Sequence, residues 1–207
     1  LAERFHRVFI VTDRFMEKSG KVSYITDRLK KHGAEYQIFS DISPDPDIDT
    51  VAKGVGQILD FRPDAVVAFG GGSSINAAKG TVYFAHRQAD WKTTFVAIPT
   101  TSGTGSEVSR FAVITDREKG VKYPLIHDSL LPDIAVLDAE LTVSVPPSVT
   151  ADTGMDVFTH AVEAFVATTR NDFTDALAEK AIRLVKRCLQ QAYAHPEDRE
   201  ARQGMHH

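Results

Sequence analysis

The chain has 207 residues, of which 43% are hydrophobic and 25% charged, and its formal net charge is −4. This length suits one large domain, or one and a half ordinary ones, with a packed core. The composition argues against general disorder, and the acidic balance argues against nucleic acid or an anionic membrane surface as the main partner. Cys188 is the only cysteine, so no internal disulfide can form and a reducing cytoplasm is expected.

Short apolar runs alternate with helix-period segments over the first hundred residues. The predicted strands are residues 7–12, 36–39, 65–69 and 95–98. The predicted helices are residues 22–32, 47–61 and 73–86. This alternating order of strands and helices predicts a mostly parallel sheet with helices on both faces.

The rest of the chain has a different texture. Additional short strands are predicted at residues 111–115, 122–126 and 134–137. Helices are predicted at residues 148–166 and 173–194, and another from Pro196 onwards. A domain boundary is expected near residue 145, just before two consecutive prolines. No apolar run approaches the roughly 18 residues that a membrane helix needs.

Unusual polar segments follow three of the predicted strands. Thr12 and Asp13 close the first strand, GGGSS (residues 70–74) closes the third, and PTTSGTGSE (residues 99–107) closes the fourth. The carboxyl ends of parallel strands lie at one edge of the sheet, which is where open α/β sheets bind ligands. We therefore expect the three segments to share a ligand-binding edge.

The glycine run is suited to a phosphate group. Glycines let backbone N–H groups approach an anion, and the N-terminus of the following helix favours negative charge. The run does not match G-x-G-x-x-G, and Lys79 lacks the neighbours of a P-loop lysine. A tight turn before a capped helix is the alternative for the same residues.

The other two segments have matching alternatives. A carboxylate at Asp13 can accept both hydroxyls of an adenosine ribose and repel a 2′-phosphate, which favours NAD over NADP. Capping of the next turn is the alternative for this residue. The hydroxyl-rich loop that begins at Thr100 suits a phosphate, a ribose or an amide, and a polar surface loop is its alternative.

Asp156 and His160 are four residues apart within a predicted helix, so both project from one face. A carboxylate and an imidazole at that spacing can hold two corners of a divalent metal site. A hydrogen-bonded pair on the helix surface is the alternative. Two ligands are too few for a catalytic metal, so this hypothesis requires further ligands elsewhere.

These segments belong to a longer series of motifs. GGGSSINAAK, IPTTSGTGSEVS, KYPLI, LPDIAVLD, VPP and TGMDVFTHAVEAF occur in the order found in iron-containing (group III) alcohol dehydrogenases. The chain resembles that family over nearly its whole length, and most closely the NAD-dependent propanol and ethanol dehydrogenases. The resemblance implies a Rossmann-like α/β dinucleotide-binding domain over residues 1–145. It also implies the beginning of an all-α metal domain over residues 146–207, in a dehydroquinate synthase-like architecture.

The resemblance also implies roles for individual residues. Asp13 would face the adenosine ribose of NAD, and Lys122 the nicotinamide ribose. The remaining cofactor contacts implied for the glycine turn and the hydroxyl-rich loop are Gly71, Gly72, Ser73, Thr100, Thr101 and Thr104. Asp156 and His160 would be catalytic as the first two ligands of a divalent metal, Fe²⁺ in most members and Zn²⁺ in some.

The activity implied is hydride transfer between a small primary alcohol, or its aldehyde, and NAD, with the metal as Lewis acid. The implied protein is a cytoplasmic homo-oligomer, with a bacterial microcompartment as an alternative location. A polyol dehydrogenase or dehydroquinate synthase relative is the alternative enzyme. A nucleotide-binding module without catalysis is the alternative from another class.

Two departures from the family pattern stand out. Asn76 occupies a position where most members carry Asp, so one cofactor contact is expected to be altered. The family completes its metal site with two histidines on later helices, whereas His206 and His207 match a Met-His stretch before those ligands. The chain also lacks an initiator Met, so it is expected to be part of a longer protein and, by itself, to bind NAD without normal turnover.

Overall fold

The computed structural model of the protein describes residues 2–207. Its strands are β1 (Arg7–Asp13), β2 (Glu35–Ile42), β3 (Ala65–Gly70), β4 (Thr94–Pro99), β5 (Phe111–Asp116), β6 (Val121–Ile126) and β7 (Ile134–Ala135). Its α-helices are α1 (Arg14–Lys18), α2 (Ser23–Lys31), α3 (Ile48–Phe61), α4 (Gly72–Gln88), α5 (Pro147–Val166), α6 (Asp172–Ala194) and α7 (Arg199–His206). Short 3₁₀ turns separate several of these elements.

The main sheet is parallel, with the strand order β2-β1-β3-β4-β7. Val8 on β1 is in register with Tyr36 on β2 and Ala65 on β3. Because the chain places β2 on one side of β1 and β3 on the other, the strand order reverses between β1 and β3. Such a reversal is the topological switch point at which open α/β sheets bind ligands. The predicted α/β class is confirmed.

The core of the sheet follows from its apolar strands. Val8, Phe9, Ile10 and Val11 are fully buried along β1, as expected for a central strand covered on both faces. Helices α3 and α4 pack together, and their apolar side chains share a buried cluster with β1 and β3. Asp47 caps α3, its Oδ1 accepting the N–H of Thr50 at 2.8 Å.

Strands β5 and β6 form an antiparallel hairpin outside the main sheet. The hairpin is attached to the loop after β2, where the N–H of Thr115 donates to the carbonyl of Pro46 at 2.9 Å. Arg117 also pairs with Asp47. The predicted additional strands are therefore present, although β7 has only two residues and joins the main sheet.

Two helices differ from the sequence-based expectation. The short helix α1 was not predicted, because five residues carry little periodicity, and it begins directly after Asp13. The last helix begins at Arg199 and not at Pro196. The carboxylate of Asp198 caps it, accepting the N–H of Ala201 at 3.0 Å.

The chain forms two compact units. The first comprises residues up to Pro99 together with Ser106–Val136, and the second comprises Thr100–Gly105 together with Leu137–His207. In the second unit α6 packs against both α5 and α7. Cys188 is buried in the cluster between α6 and α7.

The predicted domains, residues 1–145 and 146–207, stay a prediction. Among residues 2–207, no helix is both long and apolar enough to cross a membrane.

Candidate nucleotide and metal site

The switch point of the sheet brings Asp13 and Gly70 together. Asp13 ends β1 and caps α1, with its Oδ1 accepting the N–H of Met16 at 2.9 Å. Gly70 ends β3 with a φ of +156°, a conformation that other residues rarely adopt. A Cβ built on Gly70 would lie 2.5 Å from Ser74 Oγ and 3.4 Å from Asp13 Oδ2. The carboxylate of Asp13 is therefore adjacent to the glycine turn. It also caps α1, which is the alternative role that the sequence allowed for this residue.

The glycine turn leads directly into the long helix α4. Gly71 is the N-cap residue, and Gly72 and Ser73 begin the helix. Gly71 offers no side chain to cap the first backbone N–H groups, and all three residues are partly exposed. Uncapped N–H groups at the N-terminus of a helix form a suitable cradle for a phosphate. Asn76 lies one turn further along α4 and is half-buried.

Lys79 is buried within the first unit and serves a different purpose from a P-loop lysine. Only 1% of its surface is exposed, and its Nζ donates to the carbonyls of Ser109 at 2.6 Å and Phe111 at 2.8 Å. Burial lowers the pKa of Lys79 to about 8, and the charge of Glu107 acts in the opposite direction. Burial raises the pKa of Glu107. Lys79 thus fastens α4 to the segment that enters β5.

Lys122 lies on the exposed hairpin strand β6. Its Nζ is 2.8 Å from Oδ1 of Asp45, in the loop that follows β2. Both side chains are more than half exposed, so the pair contributes little to stability. Lys122 is therefore an exposed cation of the first unit that already has an acidic neighbour.

The hydroxyl-rich loop, Thr100–Gly105, belongs to the second unit. It starts immediately after Pro99, the last residue of β4, which is paired with Gly70 of β3. Thr100 is buried, Thr101 is half-buried and Thr104 is exposed. The loop therefore presents its hydroxyl groups in different environments, and Thr104 is the one that is most open to solvent.

The candidate metal ligands lie on α5. His160 Nε2 is 3.7 Å from Asp156 Oδ1, and both side chains are about half exposed. One carboxylate oxygen and one imidazole nitrogen on the same helical face suit Fe²⁺ or Zn²⁺. No cluster of three or more potential ligands occurs in the described part of the chain. By itself the pair can fill two positions of a metal site, and a complete site requires further ligands.

Some structurally important residues were not identified as such from the sequence. Lys79 lies on the apolar stripe of α4, together with Ile75 and Val82, and a lysine in such a stripe is the signal that could have revealed it. His206 was recognised only as part of a motif, yet it is buried and hydrogen-bonded to Ser102 in the hydroxyl-rich loop. That contact spans a long sequence separation, so no local pattern predicts it.

The parallel sheet, its switch point and the glycine turn at the start of α4 define an open α/β fold, the class in which ligands bind at the switch point. The family model for iron-containing alcohol dehydrogenase matches residues 1–139, and the C-terminal model of the Fe-containing alcohol dehydrogenase family matches residues 150–207. The chain belongs to the iron-containing alcohol dehydrogenase family. The resemblance inferred from the motifs is confirmed.

The similar proteins agree with this assignment. The 1-propanol dehydrogenase PduQ of Citrobacter freundii is 49% identical over 96% of this chain and 54% of its own length. The NADPH-dependent butanol dehydrogenase of Clostridium saccharobutylicum is 41% identical over 93% of the chain and 53% of its own length. The structure of sulfoacetaldehyde reductase from Bifidobacterium kashiwanohense in complex with NAD⁺ superposes with a TM-score of 0.91 at 35% identity, covering 99% of this chain and 57% of that one. The chain spans about half the length of the propanol and butanol dehydrogenases that it matches.

Proposed function

We propose that the protein containing this chain oxidises small primary alcohols, or reduces their aldehydes, with NAD as hydride carrier. The observation that carries the proposal is the pairing of Asp13 with the glycine turn at the switch point of the sheet. The similarity of the chain to 1-propanol and butanol dehydrogenases supports a short alcohol as substrate.

The first unit would bind the phosphate and ribose groups of NAD. The free N–H groups at the start of α4, at Gly71, Gly72 and Ser73, would hold the pyrophosphate. Oδ2 of Asp13 lies beside Gly70 while Oδ1 is engaged as a helix cap, so one carboxylate oxygen faces the turn and can accept the ribose hydroxyls. Lys122 would leave its ion pair with Asp45 and bind the nicotinamide ribose, and the exposed position of its side chain allows this.

The second unit would contribute hydroxyls and metal ligands. Thr100, Thr101 and Thr104 would contact the phosphate and nicotinamide side of the cofactor. Asp156 and His160 would hold two coordination positions of a divalent ion, with iron as the proposed metal and zinc as the alternative. When bound, the metal supplies Lewis acidity at the substrate oxygen and NAD supplies the hydride acceptor.

Several finer assignments belong to the same proposal. The carboxylate at Asp13 supports NAD over NADP, because it would repel a 2′-phosphate. The lone cysteine is consistent with a cytoplasmic protein, which includes the interior of a microcompartment, and we propose a homo-oligomer for the intact gene product. The remaining metal ligands would come from outside the described residues.

Turnover of the intact gene product tests this function. We expect NADH formation from 1-propanol, loss of the activity after treatment with a chelator, and recovery with Fe²⁺ or Zn²⁺. The variant His160→Ala should lose the bound metal by elemental analysis, whereas His195→Ala, which removes an exposed histidine of α6's C-terminal end, should retain it. Oxidation of glycerol with no oxidation of 1-propanol would favour a polyol dehydrogenase. NAD⁺ binding without bound metal would indicate a non-catalytic nucleotide-binding protein.

A further inference from the structure

The hydroxyl-rich loop has an anchor on the last helix of the second unit. Ser102 Oγ and His206 Nδ1 are hydrogen-bonded at 2.9 Å. Ser102 lies between the threonines that are proposed to contact the cofactor, whereas His206 is near the end of α7. A side-chain hydrogen bond therefore joins the middle of the loop to a helix that carries none of the proposed ligands.

The hydrogen bond with Ser102 is a polar contact of a buried histidine ring. The residue is only 7% exposed, and its Nε2 has no hydrogen-bond partner among the described residues. Burying an imidazole with one unsatisfied nitrogen is unfavourable, and an apolar side chain would avoid this cost. The remaining polar group of the ring, Nδ1, is the one that reaches the loop.

A second contact fixes the loop against α5. A Cβ built on Gly103 would lie 2.6 Å from Thr153 Cβ and 2.7 Å from its carbonyl oxygen, so the loop backbone rests directly on the helix. Thr153 precedes Asp156 by three residues and lies about one helical turn before it. The loop is thus seated beside the helical segment that carries the proposed metal ligands.

Helix α7 is itself firmly held. Arg202 is 3% exposed, and its guanidinium donates to Thr150 Oγ1 at 2.8 Å and to the carbonyl of Val145 at 3.2 Å. Both acceptors are in or next to α5, so α7 cannot shift without breaking buried hydrogen bonds. His206 therefore projects from a helix that is tied by hydrogen bonds to the start of α5.

We propose that His206 is a positioning residue, which acts through Ser102 to hold the hydroxyl-rich loop in the conformation that binds the cofactor. This inference rests on the proposed NAD-binding function. His206 touches neither cofactor nor substrate in this scheme. Its contribution is to keep the loop ordered before the cofactor arrives, so that binding does not have to order it.

Calorimetric titration of NAD⁺ into the intact gene product tests the proposal, together with amide hydrogen exchange of the loop. The variants are Ser102→Ala, His206→Ala, the double variant, and His206→Asn, whose amide nitrogen can replace Nδ1. His195→Ala is the matched control, because it removes an exposed histidine from the same unit. Thermal unfolding of each variant establishes that it is folded.

We expect Ser102→Ala and His206→Ala each to weaken NAD⁺ binding about fivefold, the effect of one neutral hydrogen bond. The double variant should be no weaker than either single variant, His206→Asn should recover most of the affinity, and loop exchange should be faster in all variants that lack the bond. Unchanged affinity in both single variants, or effects that add in the double variant, would overturn the positioning role.

The proposed function and this inference can fail separately. If the unaltered intact gene product binds no NAD⁺, the proposed function fails, and loop exchange then decides the inference alone. Exchange at residues 100–105 that is the same in the unaltered chain and in Ser102→Ala would show that the contact does not order the loop. Ser102→Ala is a small change at a partly buried site, so it keeps the test valid even if His206→Ala does not fold.

Discussion

Substitution of Gly70 by alanine tests the geometry of the switch point. Its backbone φ of +156° is strained for any residue with a Cβ. The added methyl group would also lie 2.5 Å from Ser74 Oγ and 2.8 Å from Ser74 Cβ. Ser74 is buried at the start of α4, so it has little room to move away.

The expected loss of stability has two parts. A residue held in a sparsely populated backbone region costs roughly 1–3 kcal/mol, and overpacking at a buried site costs a similar amount. We therefore expect Gly70→Ala to reduce the free energy of unfolding by about 3 kcal/mol. For a chain of this size, that corresponds to a fall in Tm of about 10 °C.

Differential scanning calorimetry measures this loss, and two further variants separate its parts. Gly20→Ala has a positive φ of +76° but no atom within 4 Å of the new Cβ, so it should lose only the strain component of about 1 kcal/mol. Ser74→Gly removes both atoms that clash with the new methyl group. It should therefore lower the Tm less in the Gly70→Ala variant than in the unaltered chain. A loss in Gly70→Ala no greater than in Gly20→Ala would refute the steric argument.

Three further predictions concern charged residues of the first unit. Because the pKa of Lys79 is lowered to about 8, the unfolded chain binds more protons between pH 8 and 10.5. Across that range, the free energy of unfolding of the unaltered chain should therefore rise relative to that of Lys79→Met by up to about 3 kcal/mol. Urea unfolding at several pH values measures this, and a difference that does not change with pH would contradict it. The pKa of Asp47 is lowered to about 2, first by its hydrogen bond with Thr50 and then by Arg117. Above pH 4, the free energy of unfolding of the unaltered chain should exceed that of Asp47→Asn by about 2 kcal/mol, and this difference should disappear as the pH falls through 2. A difference that persists at pH 2 would show that ionisation of Asp47 is not its cause. Finally, Asp13→Ala should weaken NAD⁺ about tenfold and NADP⁺ much less in paired titrations, and equal losses would show that the carboxylate does not select between them.

The sheet and the glycine turn could be predicted from local sequence. The apolar run of β1 and the GGGSS segment between β3 and α4 are short-range signals, and the rule that parallel strands share an edge places Asp13 beside Gly70. The spacing of Asp156 and His160 likewise fixes a common helical face, which the 3.7 Å separation reflects. These features depend on periodicity and on strand order alone.

The features that could not be predicted depend on tertiary packing. Lys79 finds its acceptors thirty residues away, at Ser109 and Phe111, so its sequence neighbours carry no trace of the contact. The hydrogen bond between Ser102 and His206 joins residues 104 positions apart. The hydroxyl-rich loop belongs to the second unit because of tertiary contacts of this kind. The turn-forming residues within the loop do not predict that membership.

Binding of NAD at the glycine turn is tested most directly by titrating NAD⁺ into the chain and into two aspartate variants. Ser73→Asp places a carboxylate in the first turn of α4, where it suits the helix but repels a pyrophosphate. Ser23→Asp is the control, because it makes the same change at the exposed first residue of α2. We expect NAD⁺ to bind the unaltered chain and Ser23→Asp equally, and Ser73→Asp at least tenfold more weakly. Equal binding by all three proteins would contradict the assignment of the pyrophosphate to this turn.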